Sequence, residues 1–387
     1  MQFQSPTLVV FGSGSLSELG RIIHEDLRAR RPFLVTDKGV EEVGIPAKAI
    51  SQLPGIQVFD DVEQNPKHLT VNRGGEIVRQ YQPDLIIGLG GGSVLDAAKA
   101  IALLAMNSGK IEDYEGRSKY IMPPLPVVAI PTTCGTASEV TWVSVITHTE
   151  RKFKMSIKGP LMFPVVALVD PDLLLTLPRA LVASTGMDAL THAVEAYTVK
   201  PANFMTDIFA RESLFHIFAS IEDAYKDIKA NSEAREGLMK GSMIAGFAFG
   251  NSDVGAVHCL AESIGALYDV AHGVANAVLL PYVMEYNLPV SEKKYAEIAR
   301  IAGIDDEDDG QAAQSLIQKV KDLSQALNIP SFKELGIKEA DFPEIAQKSF
   351  ENNSNASNPR EVSPKDYMDI LSRAHQDTQN LSKQNPI

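Results

Sequence analysis

The chain has 387 residues, a length that favours two domains over a single core. Its apolar content of 44% and charged content of 22% are those of an ordinary soluble globular protein. A formal net charge of −13 argues against nucleic acid or an anionic membrane surface as a partner, because both select basic patches.

The first half alternates short β-branched runs with helical patterns. Phe33–Thr36, Asp84–Leu89, Val127–Ile130 and Val165–Val169 read as strands, with helical segments at Leu16–Ala29, Val71–Gln80 and Ser93–Asn107. Such alternation implies an α/β N-terminal dinucleotide-binding domain, with a parallel sheet and helices on both faces. After Asp170-Pro171 and Leu177-Pro178 only helix-period segments remain: Pro201–Ser220, Ser232–Gly250, Ala256–Leu267, Val274–Tyr286, Glu292–Ile301, Ala312–Leu327 and Pro364–Ala374. The expected division is therefore an α/β domain over 1–178 and an all-helical metal-binding domain over 179–387. The acidic loop Asp305–Gly310 and the polar run Asn352–Pro359 read as connectors. The polar tail from Gln376 is expected to be disordered.

No apolar run reaches the length of a membrane span, and MQFQSPTLVVFG lacks the pattern of a signal peptide. Two cysteines, Cys134 and Cys259, cannot form a disulfide framework. A cytoplasmic protein is expected.

Two glycine patterns differ in what they say. Gly12-Ser-Gly14-x-x-Ser17 resembles a dinucleotide fingerprint without its third glycine, and a tight β-turn explains it better. LIIGLGGGSVLDAAKA places Gly90, Gly91 and Gly92 between a buried strand and a helix, with Ser93 and Asp96 as a capping-box pattern. Backbone N–H groups at the positive end of that helix would hold a phosphate; the plainer alternative is a tight turn. A third loop, PTTCGTASE, follows the next strand and offers the hydroxyls of Thr132, Thr133 and Thr136. Asp37 ends the strand FLVTD, where a carboxylate accepts hydrogen bonds from a ribose diol and repels a 2′-phosphate; otherwise it is a cap or turn residue. NAD is expected in preference to NADP.

In the helical half, Thr185–Val199 reads as a helix with Asp188 and His192 one turn apart, their Cβ atoms roughly 6 Å from each other. Taken alone, that pair fits a metal site or a helix N-terminus with an acid and a core histidine. His258 and His272 bracket HCLAESIGALYDVAH, a helix and turn that can deliver two more ligands. Together they make a three-histidine, one-carboxylate shell. Cys259 points about 100° away from His258 on a helix and stays outside it. His24, His68, His148, His216 and His375 have no partner at ligand spacing. Glu262, four residues after His258, shares that ligand's face and is expected to line the substrate pocket without binding metal.

GGGSVLDAAK, PTTCGTASE, LVDP, TGMDALTHAVEAYT and HGVANAVLLPYVMEYN, with the turn Asn65-Pro66, resemble the iron-containing (group III) alcohol dehydrogenases over nearly the whole chain. The resemblance implies Asp188, His192, His258 and His272 as ligands of Fe²⁺, with Zn²⁺ or another divalent ion as substitutes. It further implies that Asp37, Asn65, Gly91, Gly92, Ser93, Thr132, Thr133 and Lys154 line the NAD site. Lys154 by itself, in the charged run Arg151–Lys158, reads as a solvated edge. Cys134 and Glu262 depart from the family pattern: a small residue and a histidine are common there.

The implied enzyme passes hydride between NAD(H) and a small primary alcohol, diol or aldehyde, in a cleft between the domains, as a homodimer or higher homo-oligomer. The alternatives are a dehydroquinate-synthase-like or glycerol-dehydrogenase-like NAD-plus-metal enzyme, or a non-catalytic metal- and nucleotide-binding protein. The scarcity of Lys and Arg near the ligands speaks against a phosphorylated substrate.

Overall fold

A computed structural model describes residues 2–384. The strands, in chain order, are β1 (Leu8–Phe11), β2 (Pro32–Val35), β3 (Gln57–Phe59), β4 (Leu85–Gly90), β5 (Gly116–Arg117), β6 (Val127–Pro131), β7 (Val143–His148), β8 (Phe153–Lys158) and β9 (Val166–Val169). Six of them form one sheet in the order β1-β9-β6-β4-β2-β3, and every pairing in it is parallel. A smaller sheet, β5-β8-β7, carries an antiparallel hairpin.

The main sheet is apolar on both faces because helices cover both. Phe33, Val35, Ile86 and Val127 pack on one side with the helices His68–Tyr81 and Gly92–Met106. Leu34, Ile87, Leu89, Val128 and Ile130 alternate with them and pack on the other, with Leu19, Ile22, Ile23 and Ile45. The period of two along β2, β4 and β6 therefore feeds two separate cores.

By contact, the chain divides into two compact units: Gln4–Leu177 with Ile228–Met239, and Met1–Phe3 with Pro178–Asp227 and Lys240–Ile387. The segment Ile228–Met239 groups with the α/β unit, where the Arg235 guanidinium donates to the Asp172 carboxylate at 2.8 Å. The second unit is built from helices, principally Arg179–Thr198, Phe204–Asp227, Ala256–Tyr268, His272–Ile301, Asp309–Ala326, Phe342–Glu351 and Pro364–Gln384. No helix among the described residues is long and apolar enough to cross a membrane.

Several elements differ from the sequence expectation. The helix expected over Leu16–Ala29 is a shorter winding of turns over Ser15–Asp26, ended near Arg28 in the left-handed region. The segments Val274–Tyr286 and Glu292–Ile301 are one helix, His272–Ile301, which runs through Pro281 and Pro289. Its buried face, including Leu279, Leu280, Val283, Tyr295 and Ile298, outweighs the N–H that each proline removes. The polar run from Gln376 continues the last helix to Gln384, with no Gly or Pro to stop it, and residues 385–387 lie outside the described residues.

The first glycine pattern is a turn, as expected. Gly12 and Gly14 have φ of 148° and 79°, and the N–H groups of Gly14 and Leu16 donate to the Asp170 carboxylate at 2.9 and 3.0 Å. Asp170 also accepts from Asp172 N at 3.0 Å, so one buried carboxylate ties the ends of neighbouring β1 and β9 together. Asp170→Ala would strand those donors and should lower stability by about 3 kcal/mol, read as a shift of the urea midpoint at unchanged slope. An unshifted midpoint would remove Asp170 from this role.

Candidate metal and cofactor sites

The helix Arg179–Thr198 is buried on nearly all sides from Val182 onward, so its polar residues are held among packed side chains. Asp188, His192 and Glu195 occupy one face at i, i+4 and i+7. The helix Ala256–Tyr268 brings in His258, and Asp269, at φ 55°, ends it so that the next helix can begin at His272. One ligand atom from each of Asp188, His192, His258 and His272 lies within 4.8 Å of the others. The structure thus brings together the four residues expected as ligands.

Their detailed contacts favour a cation between them. His258 Nε2 faces His192 Nε2 at 3.0 Å, and His272 Nε2 lies 3.7 Å from Asp188 Oδ1. The His192 ring stacks on Phe249 with centroids 4.2 Å apart, which fixes its plane. His258 Nδ1 donates to Glu195 Oε2 at 2.6 Å, and that bond leaves Nε2 as the lone pair aimed into the cluster. Burial opposes protonation of His258, but the Glu195 carboxylate outweighs it and raises the imidazole above its ordinary value. Three imidazoles and one carboxylate at this spacing fit a divalent ion.

Glu195 is a functional residue the sequence reading missed. It also accepts from Gly255 N and Val257 N, both at 2.8 Å, and so caps the start of the helix that carries His258. The i+7 spacing from Asp188 was its only signal. Asn276 is a second omission, one turn beyond His272, with its amide nitrogen 2.6 Å from Asp188 Oδ1. Gly273 is required for close approach: a Cβ there would sit 2.3 Å from Ser184 O.

Glu262 lies outside the cluster; its carboxylate accepts from Asn352 Nδ2 at 2.6 Å. The run Asn352–Pro359 is thus a connector with a packing role, since Ser354 and Ser357 also donate to Asp253 and Asn358 accepts from Ala256 N. Cys259 is buried, outside the ligand group, and burial pushes its thiol well above the ordinary range. His68 and His148 stack on each other at 4.3 Å, His216 faces Glu212 and His375 faces Glu339; these and His24 are outside the cluster.

In the α/β unit, Asp37, Gly91–Ser93 and Thr132–Thr133 follow β2, β4 and β6, three adjacent parallel strands. The helix Gly92–Met106 starts at Gly91 without a side-chain cap. The expected Ser93–Asp96 capping box is absent: Asp96 instead accepts from Ser138 Oγ at 2.5 Å and Val145 N at 2.9 Å. With glycine at the cap, the first-turn N–H groups face no side chain from that position, which suits a phosphate. A Cβ on Gly92 would lie 2.4 Å from Thr136, so the two loops can be this close only with glycine.

Asp37 caps the helix Lys38–Glu42, its Oδ1 accepting from Val40 N at 2.9 Å. Lys154 is buried on β8 and donates to Asn65 Oδ1 at 2.8 Å, so the solvated-edge reading does not hold for it. Asn65 takes φ 50°, a left-handed conformation that suits Asn before Pro66. Beneath the loops, Lys99 donates to the carbonyls of Ser138, Thr141 and Val143, while burial raises Glu139 to about 7.

Replacing Glu195 by Gln keeps the shape but removes the charge behind His258. The bound divalent ion should be held 10- to 100-fold less tightly, measured by chelator competition. Equal affinity in the two proteins would show that Glu195 does not act on the metal.

Residues 6–171 match the family described as "Iron-containing alcohol dehydrogenase", and residues 182–375 match "Fe-containing alcohol dehydrogenase family, C-terminal". The chain is similar to a 1,3-propanediol dehydrogenase of Citrobacter freundii, 40% identical over 95% of this chain and 97% of the relative. It is 34% identical to an NAD-dependent methanol dehydrogenase of Bacillus methanolicus, over 96% of this chain and 99% of that one. A crystal structure of 1,3-propanediol oxidoreductase superposes with a TM-score of 0.92 at 40% identity, covering 97% of this chain and 100% of the other. With both halves of the chain matched, and relatives 34% and 40% identical over nearly its whole length, the chain belongs to the iron-containing alcohol dehydrogenases.

Proposed function

We propose that the protein interconverts a small primary alcohol or diol and its aldehyde, with NAD(H) as the hydride carrier. The observation that carries this reading is the Asp188, His192, His258 and His272 cluster, in a chain whose α/β unit presents glycine and threonine loops after adjacent strands. A divalent ion supplies Lewis-acid polarisation of the substrate oxygen, and the nicotinamide supplies or takes the hydride.

The chain's own residues do the rest. Asp188 contributes the one negative charge among the ligands, so a divalent ion there keeps net positive charge toward a substrate oxygen. Glu195 holds the His258 tautomer. The backbone of Gly91, Gly92 and Ser93 binds the pyrophosphate, with Thr132 and Thr133 offering hydroxyls alongside. Asn65 and Lys154 act as a hydrogen-bonded pair at the cofactor. Asp37 has one carboxylate oxygen on Val40 N and a second for a ribose hydroxyl. Glu262 serves as a pocket acid held in orientation by Asn352. Fe²⁺ is the metal the family name carries, and the same donors accept Zn²⁺.

The protein acts as a homo-oligomer. Phe204, Ile208 and Phe215 are exposed on the helix Phe204–Asp227 and line an open cavity of about 900 Å³, apart from the site residues. Neither Cys134 nor Cys259 is in a disulfide, which supports a reducing, cytoplasmic setting.

Reconstitution with each metal, followed by loss of NADH absorbance across a panel of small aldehydes, tests the reading. Asp188→Ala or His272→Ala should abolish activity and metal retention while NADH still binds. Full metal occupancy in both variants would sink the ligand assignment.

NADH should be preferred to NADPH, and Asp37→Ser should narrow the gap, because a carboxylate beside a 2′-phosphate brings like charges together. Equal kcat/KM with both cofactors in the unaltered enzyme would contradict this.

A further inference from the structure

Asn276 is fully buried and stands one turn after His272 on the same helix. Its Nδ2 is 2.6 Å from Asp188 Oδ1, 3.1 Å from His272 Nε2 and 3.3 Å from His258 Nε2. It thus touches three of the four ligand atoms while offering no atom that the ligand chemistry of the other four requires. Its orientation is decided by charge. An ionised carboxylate only accepts, so the amide must turn N–H toward Asp188; the reverse would set two acceptors 2.6 Å apart. The consequence is visible at the other end, where Oδ1 is buried with no hydrogen-bond partner among the described residues. The amide forgoes a bond at its carbonyl in order to keep the ligands engaged.

We propose that Asn276 is a positioning residue of the metal centre, whose amide N–H donates to the Asp188 carboxylate and holds it beside His258 and His272, and so preforms the shell. The inference rests on reading the cluster as a metal site. The geometry explains how a carboxylate and facing imidazoles stay at ligand spacing before a cation neutralises them. His258 Nε2 is an acceptor because Nδ1 donates to Glu195, so Glu195 and Asn276 act on opposite sides of the same ring. One sets the tautomer and the other sets the distance to the carboxylate.

The test uses the full chain loaded with Co²⁺ in place of the native ion. The visible absorption bands of Co²⁺ report ligand geometry, and loss of those bands in excess chelator reports retention. Asn276→Ala should shift the bands and speed chelator-driven loss at least 10-fold, with thermal unfolding and NADH binding near those of the unaltered protein. Asn276→Asp keeps the shape and exchanges the N–H donor for an acceptor, so it should shift the bands as well; it decides the matter if the alanine variant does not fold. Bands and loss rates unchanged in both variants would overturn the proposal, as would faster loss with unchanged bands, which reports stability alone. If the unaltered protein binds no Co²⁺, the metal reading itself fails, a result distinct from failure at Asn276.

Discussion

The carboxylate of Glu195 is the contact on which the metal centre depends. It lies on the helix that carries Asp188 and His192, and it receives two backbone N–H groups from the start of the helix that carries His258. A charged acceptor at a helix N-terminus meets both the unsatisfied N–H groups and the positive end of the dipole. The same carboxylate takes the Nδ1 proton of His258. Docking of the helices and selection of the tautomer therefore rest on one carboxylate. Gly273 completes the arrangement, because without a side chain there the helix that begins at His272 can lie against the carbonyl of Ser184.

The α/β unit uses a different device. Three loops follow adjacent parallel strands, and glycine at 92 lets two of them nearly touch. Lys99 fastens the second loop through its carbonyls, and Asp96 through a hydroxyl of that loop and an N–H group of β7. Buried polar groups of this kind stabilise one loop geometry because any other would leave them unpaired. The second loop thus carries small hydroxyls at Thr132, Thr133 and Thr136, and the charged Lys99 and Asp96 hold it from the neighbouring helix.

Much of this was legible in the chain itself. The Asp188–His192 spacing, the break between His258 and His272, and the glycine run after an apolar strand each have a local cause. What escaped was long-range. Glu195 is 63 residues from His258, and nothing local to Ala193–Val199 marks it as a helix cap. Lys154 looked solvated because charge was read without the β7–β8 pairing that turns alternate residues inward. Asp96 fitted a capping box by spacing, but a hydroxyl and an N–H from the neighbouring loop and strand bind it instead. The continuous helix through Pro289 was hidden because a proline breaks isolated helices more readily than packed ones.

One divalent ion, held by Asp188 and three histidines, is what would make this chain an active alcohol dehydrogenase. The most direct measurement is an anaerobic titration of metal-stripped protein with Fe²⁺, following NADH-dependent reduction of a small aldehyde at each addition. Activity should be absent at the start and rise linearly to a plateau at one ion per chain. Full activity in the stripped protein, or a plateau with no dependence on added metal, would contradict it.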